Sequence, residues 1–247
     1  MDKNLVYFVS DVHLGLTVGS SSDRERRFAD FLKSLPLQTK AVYLLGDIFD
    51  FWFEYRFVVP KGFVRTLGAL ADLADRGVEV YFFKGNHDMW TFGYLEQEIG
   101  LKLLHQPHLI EIGGKRFCIG HGDGFDKTDK GYQFLKAIFS CKILQRLLSF
   151  VHPGATFSVA HRWSKHNRLT KGTTYKFKGA EEPLYRYAED FEKQNKVDYF
   201  VFGHLHTPGN IKTSGGAEFY ILGEWIHGCE YLVFDTKSGS MSWQSST

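Results

Sequence analysis

Short, almost continuously apolar runs punctuate this chain, separated by longer stretches in which apolar and polar residues alternate. Residues 5–9, 41–45, 78–83, 117–119 and 199–202 form such runs, the pattern of strands buried on both faces. Between them, Ser20 to Asp23 precede an amphipathic stretch, 24–35, that predicts a capped helix ended by Pro36. Pro60 opens a second predicted helix reaching Arg76, with Gly77 closing it. A short third helix is predicted over 91–98. This βαβαβα order implies parallel strands with right-handed crossovers. Residues 109–112 and 115–119, joined by Gly113-Gly114, read as a β-hairpin. Helices are then predicted over 132–150, ended by His152-Pro153-Gly154, and over 157–167, followed by a polar loop, 171–179. A helix over 182–193 resumes the α/β order. Residues 217–222, 230–234 and 241–243 finish it as antiparallel strands.

Each apolar run breaks into polar residues of one kind. The first leads into Ser10-Asp11-Val12-His13, the second into Gly46-Asp47 and the third into Gly85-Asn86-His87-Asp88. The fourth leads into Gly120-His121-Gly122-Asp123 and the fifth into Gly203-His204-Leu205-His206. Ligands of open α/β sheets sit beyond the carboxyl ends of the strands, so these blocks are expected to share one crevice. Asp11, His13, Asp47, Asn86, His121, His204 and His206 offer oxygen and imidazole and no thiolate, a set suited to hard or borderline divalent ions. Seven ligands exceed one tetrahedral ion and suit two ions that share a bridge. Such a pair can clamp the attacking and departing oxygens of a phosphoryl transfer and acidify a water. Any one of these histidines alone would be read as structural; five blocks behind five predicted strands would not.

Composition sharpens the picture in two places. The 247 residues suffice for one large α/β domain with an insertion, and 43% hydrophobic and 16% aromatic residues leave material for an apolar groove beside the core. No run approaches the roughly 18–20 apolar residues of a membrane span, and no signal-peptide pattern opens the chain. Cys118, Cys141 and Cys229 share no CxxC spacing, which favours reduced thiols and a cytosolic protein. Charge is unevenly spread. Net charge is +2, yet residues 130–180 hold ten Lys and Arg and not one acid, leaving −8 for the rest. We therefore expect a core of residues 1–128 and 180–247 and an inserted, mainly helical, basic cap of 129–179, with an anionic partner. Within the cap Phe134, Leu135, Ile138, Phe139, Ile143, Leu147 and Phe150 interleave with Lys136, Lys142 and Arg146. That is the composition of a helix lying on an anionic bilayer, although periodicity alone fits equally a helix packed on the core with snorkelling cations. The interleaving argues against a nucleic-acid partner, which would call for an exposed basic stripe.

The order Asp11-x-His13, Gly46-Asp47, Gly85-Asn86-His87-Asp88, Gly120-His121, Gly203-His204-x-His206 resembles the calcineurin-like metallophosphoesterase superfamily over residues 11–206. The resemblance implies an α/β fold of αββα type, a two-layer β-sandwich flanked by helices. It implies one metal on Asp11, His13, Asp47 and His206 and a second on Asp47, Asn86, His121 and His204, with Asp47 bridging. It also places His87 near the leaving oxygen. Gly46-Asp47-Ile48-Phe49-Asp50-Phe51-Trp52, Gly120-His121-Gly122-Asp123 and Leu222-Gly223-Glu224-Trp225, with the cap, resemble more narrowly the UDP-2,3-diacylglucosamine hydrolase family of lipid A biosynthesis. That implies cleavage of the diphosphate of a UDP-linked diacyl sugar to UMP and a lipid 1-phosphate, with two divalent ions, usually Mn2+. Asn86, Tyr132, Lys165, Asn167, Arg168 and Lys171 match the region where that family meets substrate. The implied location is cytoplasmic and peripheral on a bacterial inner membrane. One position departs from the narrower family, whose best-known members carry arginine in place of His87. The alternative is a related phosphodiesterase or diphosphatase with a soluble nucleotide substrate. Of the remaining polar residues, we expect Asp88 to orient His87 as a second catalytic residue and Asp123 to orient His121. Asp50 fits either outer support of the metals or a turn cap. His105, His108, His152, His161, His166 and His227 are expected at the surface or in packing.

Overall fold

The computed structural model describes residues 2–17, 20–171 and 175–246, the side chains of 165–171 excepted. Its first part runs β1 (Leu5–Val9), α1 (Ser21–Ser34), β2 (Thr39–Leu44), α2 (Val64–Asp75), β3 (Glu79–Phe83), α3 (Tyr94–Gln97) and β4 (Lys102–Leu104). The hairpin β5 (His108–Ile112) and β6 (Lys115–Ile119) follows, then α4 (Lys130–Ser140), α5 (Lys142–Leu148) and α6 (Pro153–Lys171). A 3-10 turn, Gly179–Glu181, leads into α7 (Pro183–Glu192), β7 (Tyr199–Phe202), β8 (Gly209–Lys212), β9 (Glu218–Ile221), β10 (Glu230–Asp235) and β11 (Ser240–Ser245).

Among the described residues the strands form two sheets, ordered β11-β10-β1-β2-β3-β4 and β5-β6-β7-β9-β8. The runs β1 to β4 are parallel, as are β6, β7 and β9, so all five polar blocks leave from carboxyl ends of parallel strands. Alternation along each strand builds the layers. Val6, Phe8, Ala41 and Tyr43 point between the sheets at Phe117, Ile119, Val201 and Tyr220. Tyr7, Val9, Val42 and Leu44 point the other way, onto Phe28, Phe31, Leu67 and Leu70 of α1 and α2. On the far side Cys118, Phe200, Phe202 and Phe219 pack under Leu184 and Ala188 of α7. The result is the αββα sandwich. Five rings, Tyr81, Tyr43, Phe8, Phe117 and Tyr199, stack through it with centroids 4.6, 5.2, 5.7 and 4.8 Å apart.

Several boundaries differ from the sequence expectation. The helix expected from Pro60 starts at Val64, because Gly62 (φ +101°) and Phe63 (φ +58°) take left-handed turns that lay the Phe63 ring on Phe49. The helix expected over 132–150 is two helices, parted where Cys141 extends (φ −68°, ψ 113°). Periodicity cannot register such a break, since apolar residues continue on both sides of it. The helix expected over 157–167 extends over Pro153–Lys171, and that over 91–98 shrinks to Tyr94–Gln97. Of the polar loop expected over 171–179, residues 172–174 lie outside the described residues. Strands β4 and β8 escaped notice because they are short and carry Lys102, Gly209 and Asn210; their neighbours make them strands. Strand β9 is not part of a purely antiparallel finish: it pairs parallel with β7. Truncating a buried ring inside the stack, Phe117→Ala, is expected to cost about 3–5 kcal/mol of stability, measurable by urea unfolding.

Candidate metal centre

Two features of the backbone turn the strand ends into a site. Asp11, His13, Asp47, His204 and His206 all have left-handed φ values, between 49° and 73°, a conformation rare outside glycine but most tolerated by Asp, Asn and His. Each such turn carries the side chain over the strand end. The second feature is close approach. A Cβ on Gly46, itself at φ +86°, would lie 2.8 Å from Gly85 N and from the His121 ring; one on Gly85 would lie 2.1 Å from Asp47 Oδ1. Only glycine lets the ends of β2, β3 and β6 meet this closely. Hydrogen bonds then tie the loops together: Asp11 N to Gly46 O (3.1 Å), His13 N to Asp47 O (2.9 Å), Gly203 N to His121 O (3.0 Å) and Trp225 N to Asp11 O (3.1 Å). Arg24, buried in α1, donates to the carbonyls of His13 (2.7 Å) and Leu16 (3.4 Å). Sequence reading passed over Arg24. The available signal was its place on the apolar face of α1, four residues before Phe28.

The structure brings all seven expected ligands together. Ligand atoms of Asp11, His13, Asp47 and His206 lie within 4.8 Å of one another. His13 Nε2 is 3.7 Å from both Asp11 Oδ1 and Asp47 Oδ2, and His206 Nε2 is 3.4 Å from Asp11 Oδ1. On the opposite side the same Asp47 Oδ2 is 3.5 Å from His121 Nε2, which is 3.2 Å from Asn86 Oδ1. His204 closes that side more loosely, its ring 5.1 Å from that of His121. The carboxylates are half-satisfied in a telling way. Asp11 Oδ2 accepts from Ser10 Oγ (2.6 Å) and His204 N (3.0 Å), and Asp47 Oδ1 from His87 N (2.9 Å). Buried Asp11 Oδ1 and Asp47 Oδ2, the oxygens facing the imidazoles, have no hydrogen-bond donor among the described residues. Buried charge in that condition is costly unless a cation meets it. The imidazoles are oriented to help. His121 Nδ1 lies 2.8 Å from Leu45 O, so it carries the proton and leaves the Nε2 lone pair for the centre. His13 Nδ1 lies 3.4 Å from Asp50 Oδ1, with Nε2 inward.

Electrostatics agree. Burial alone would raise the Asp47 and Asp11 carboxyls, but His121 and His87 for the first, and His206 for the second, hold them well below the carboxylate range. Burial would depress His121, yet Asp47 and Asp11 lift it to about 10. His121 thus holds a proton that a divalent ion would displace. Residues and donor chemistry fit such ions.

The supporting residues differ from expectation. Asp88 does not touch His87. One of its oxygens accepts from Gly85 N (2.8 Å) and Asp47 N (3.2 Å), the other from Ile48 N (2.8 Å) and Phe49 N (3.2 Å). Burial and the neighbouring Asp47 push its carboxyl up to about 7 while those N–H groups pull it down. His87 is held instead by Asp50, its Nδ1 2.8 Å from the Asp50 carbonyl and 3.6 Å from Oδ1. Of the two roles open to Asp50, the geometry is that of outer support. Asp123 does not orient His121; it accepts from Tyr132 Oη (2.8 Å), Lys136 Nζ (2.6 Å) and Gln106 Nε2. Lys136 is thereby turned inward rather than toward a bilayer. His161, expected at the surface or in packing, puts Nδ1 3.9 Å from Asp50 Oδ2. Tyr132 reaches the centre, its ring 6.3 Å from His204, and the side chains of Lys165, Asn167, Arg168 and Lys171 lie outside the described residues.

Parallel strand ends converging on a carboxylate–imidazole centre between two sheets define a metal-dependent phosphoesterase, and the sequence profile described as calcineurin-like phosphoesterase matches residues 5–208. The chain belongs to the calcineurin-like phosphoesterase family and is a hydrolase. It is similar to the UDP-2,3-diacylglucosamine hydrolase of Porphyromonas gingivalis (strain W83), 36% identical with 94% of this chain and 95% of that protein covered. The protein of the same name from Vibrio atlanticus (strain LGP32) is 28% identical, with 94% of each chain covered. A crystal structure from Thermus thermophilus superposes with a TM-score of 0.52 over 99% of both chains at 12% identity, a likeness of fold alone. One consequence of the geometry concerns Asp88. Asp88→Asn points an amide NH2 at two main-chain N–H groups, and stability is expected to fall by about 1–3 kcal/mol in chemical denaturation.

Proposed function

We propose that this hydrolase cleaves the diphosphate of UDP-2,3-diacylglucosamine to UMP and 2,3-diacylglucosamine 1-phosphate, the lipid A step suggested by the relatives' name. The observation that carries the reading is the pairing of the centre with the basic insertion, which holds no acid from residue 130 to its end. Phe139 and Phe157 of that insertion pack on Trp90 and Phe51 beside the centre, while Phe134, Ile143, Leu147 and Phe150 stand 59–79% exposed next to solvated Lys142 and Arg146. A soluble nucleotide needs no such surface; a diacylated one does. We take 1–128 and 180–247 as the core and 129–179 as its cap. Among the described residues no helix is long and apolar enough to cross a membrane, and the exposed apolar and basic face supports peripheral binding to the cytoplasmic side of a bacterial inner membrane.

In this reading two divalent ions, manganese by the resemblance, would be held by Asp11, His13, Asp47 and His206 and by Asp47, Asn86, His121 and His204. When bound they supply polarisation of phosphoryl oxygens and an acidified water for in-line attack. Asp47 suits the bridge because its Oδ2 stands between His13 and His121. The Nδ1–H of His87 is committed to the Asp50 carbonyl, so it is the imidazolium form, with a second proton on Nε2, that would give a proton or hydrogen bond to the departing lipid phosphate. Asn86, Tyr132, Lys165, Asn167, Arg168 and Lys171 are assigned to the substrate.

Two measurements test this. In water labelled with heavy oxygen, with Mn2+ supplied, the label is expected in UMP. Label in the lipid phosphate would reverse the assigned orientation, and absence of cleavage would favour a soluble nucleotide substrate. His87→Asn is expected to lower kcat by about 10²–10⁴-fold, the range of general acid–base catalysis, while manganese content by atomic absorption stays at the wild-type level.

A further inference from the structure

Asp50 faces two imidazoles of the centre, His13 and His87, and part of its surroundings comes from far along the chain. The residue is 2% exposed. Oδ1 accepts from Ser164 Oγ at 2.8 Å and lies 3.4 Å from His13 Nδ1 and 3.6 Å from His87 Nδ1. Oδ2 faces His161 Nδ1 at 3.9 Å. The main chain of Asp50 is fixed independently, its N–H donating to Leu14 O (2.9 Å) and its carbonyl accepting from His87. Those bonds leave the rotation of the carboxylate to be set by its own partners, and helix α6 of the insertion supplies Ser164 and His161 to hold it. Packing on either side makes that grip firm: Phe157 meets Phe51 edge-on at 4.9 Å, and Ser164 is only 6% exposed.

We infer that Ser164 and His161 are positioning residues for the metal centre: by holding the Asp50 carboxylate they set the imidazoles of His13 and His87, so the insertion completes the centre and does not merely cover it. The physical reason is that a histidine ligand is aimed through its other nitrogen. His13 turns Nε2 toward Asp11 and Asp47 only while Nδ1 has its carboxylate in place. The inference rests on His13 and Asp47 belonging to the metal site as proposed above.

It is tested on the full chain, stripped by chelator, by calorimetric titration with Mn2+ alone and by steady-state hydrolysis of bis(4-nitrophenyl) phosphate, a small diester with no lipid to engage the cap. Ser164→Ala is expected to weaken Mn2+ binding and lower kcat, each by about tenfold or more, as losses of outer partners of metal ligands typically do, with KM for the diester unchanged within about twofold. Ser164→Thr, which keeps the hydroxyl, is expected to restore both; His161→Phe is expected to weaken Mn2+ binding in the same direction. Wild-type Mn2+ affinity and kcat in Ser164→Ala, or equal damage in Ser164→Thr, would overturn the inference. Asp47→Ala measured beside them separates the two levels. If it loses Mn2+ binding while Ser164→Ala does not, the positioning role alone falls; if it binds Mn2+ normally, the site assignment falls with it.

Discussion

Three buried carboxylates, Asp11, Asp47 and Asp50, stand at the meeting point of the two sheets, and the remainder of the structure can be read as what it takes to keep them ionised there. Burial of an anion costs several kcal/mol even after relaxation. Apolar packing in the sheets cannot offset that locally; only positive charge can. The protein surrounds the three with the rings of His13, His87, His121 and His206. A divalent cation would meet that charge, and the two donor-free oxygens of Asp11 and Asp47 fit one.

Around that requirement the fold supplies rigidity in proportion to distance. Nearest the centre, Asp88 welds the ends of β2 and β3 through four main-chain N–H groups, and Arg24 clamps the loop after β1. Farther out the five-ring stack crosses both sheets and fixes their separation. The strain of the left-handed turns, on the order of 1–3 kcal/mol each, is tolerable only because these layers over-determine the loops.

The insertion is fastened to the same centre twice, by polar contacts at buried carboxylates that flank it. Asp50 receives Ser164, and Asp123 receives Tyr132 and Lys136. Between them the rings of Phe51, Trp90, Phe139 and Phe157 make an apolar seam. Its outer face leaves Phe150, Ile143 and Phe134 the most exposed. One segment thus joins the candidate metal centre to an exposed apolar surface.

Much of this was legible in the amino-acid order. Parallel strands declare themselves as apolar runs, and polar groups gathered at their carboxyl ends must follow those runs immediately, so the candidates Asp11, Asp47, Asn86, His121 and His204 could be picked out by reading a few residues past each strand. The αββα layering followed from the family resemblance those blocks carry. The partners of the side chains were not legible. Sequence adjacency suggested Asp88 for His87 and Asp123 for His121, whereas the structure uses the carbonyls of Asp50 and Leu45. It equally hid Arg24 and His161, which reach the centre from a helix face 11 residues from His13 in one case and from the insertion in the other. The reason is physical. Which residue supplies a ligand is settled by its chemistry and its place at a strand end, both written in the chain. How that ligand is aimed depends on left-handed turns and on contacts between segments tens of residues apart, and only packing of the whole chain decides those.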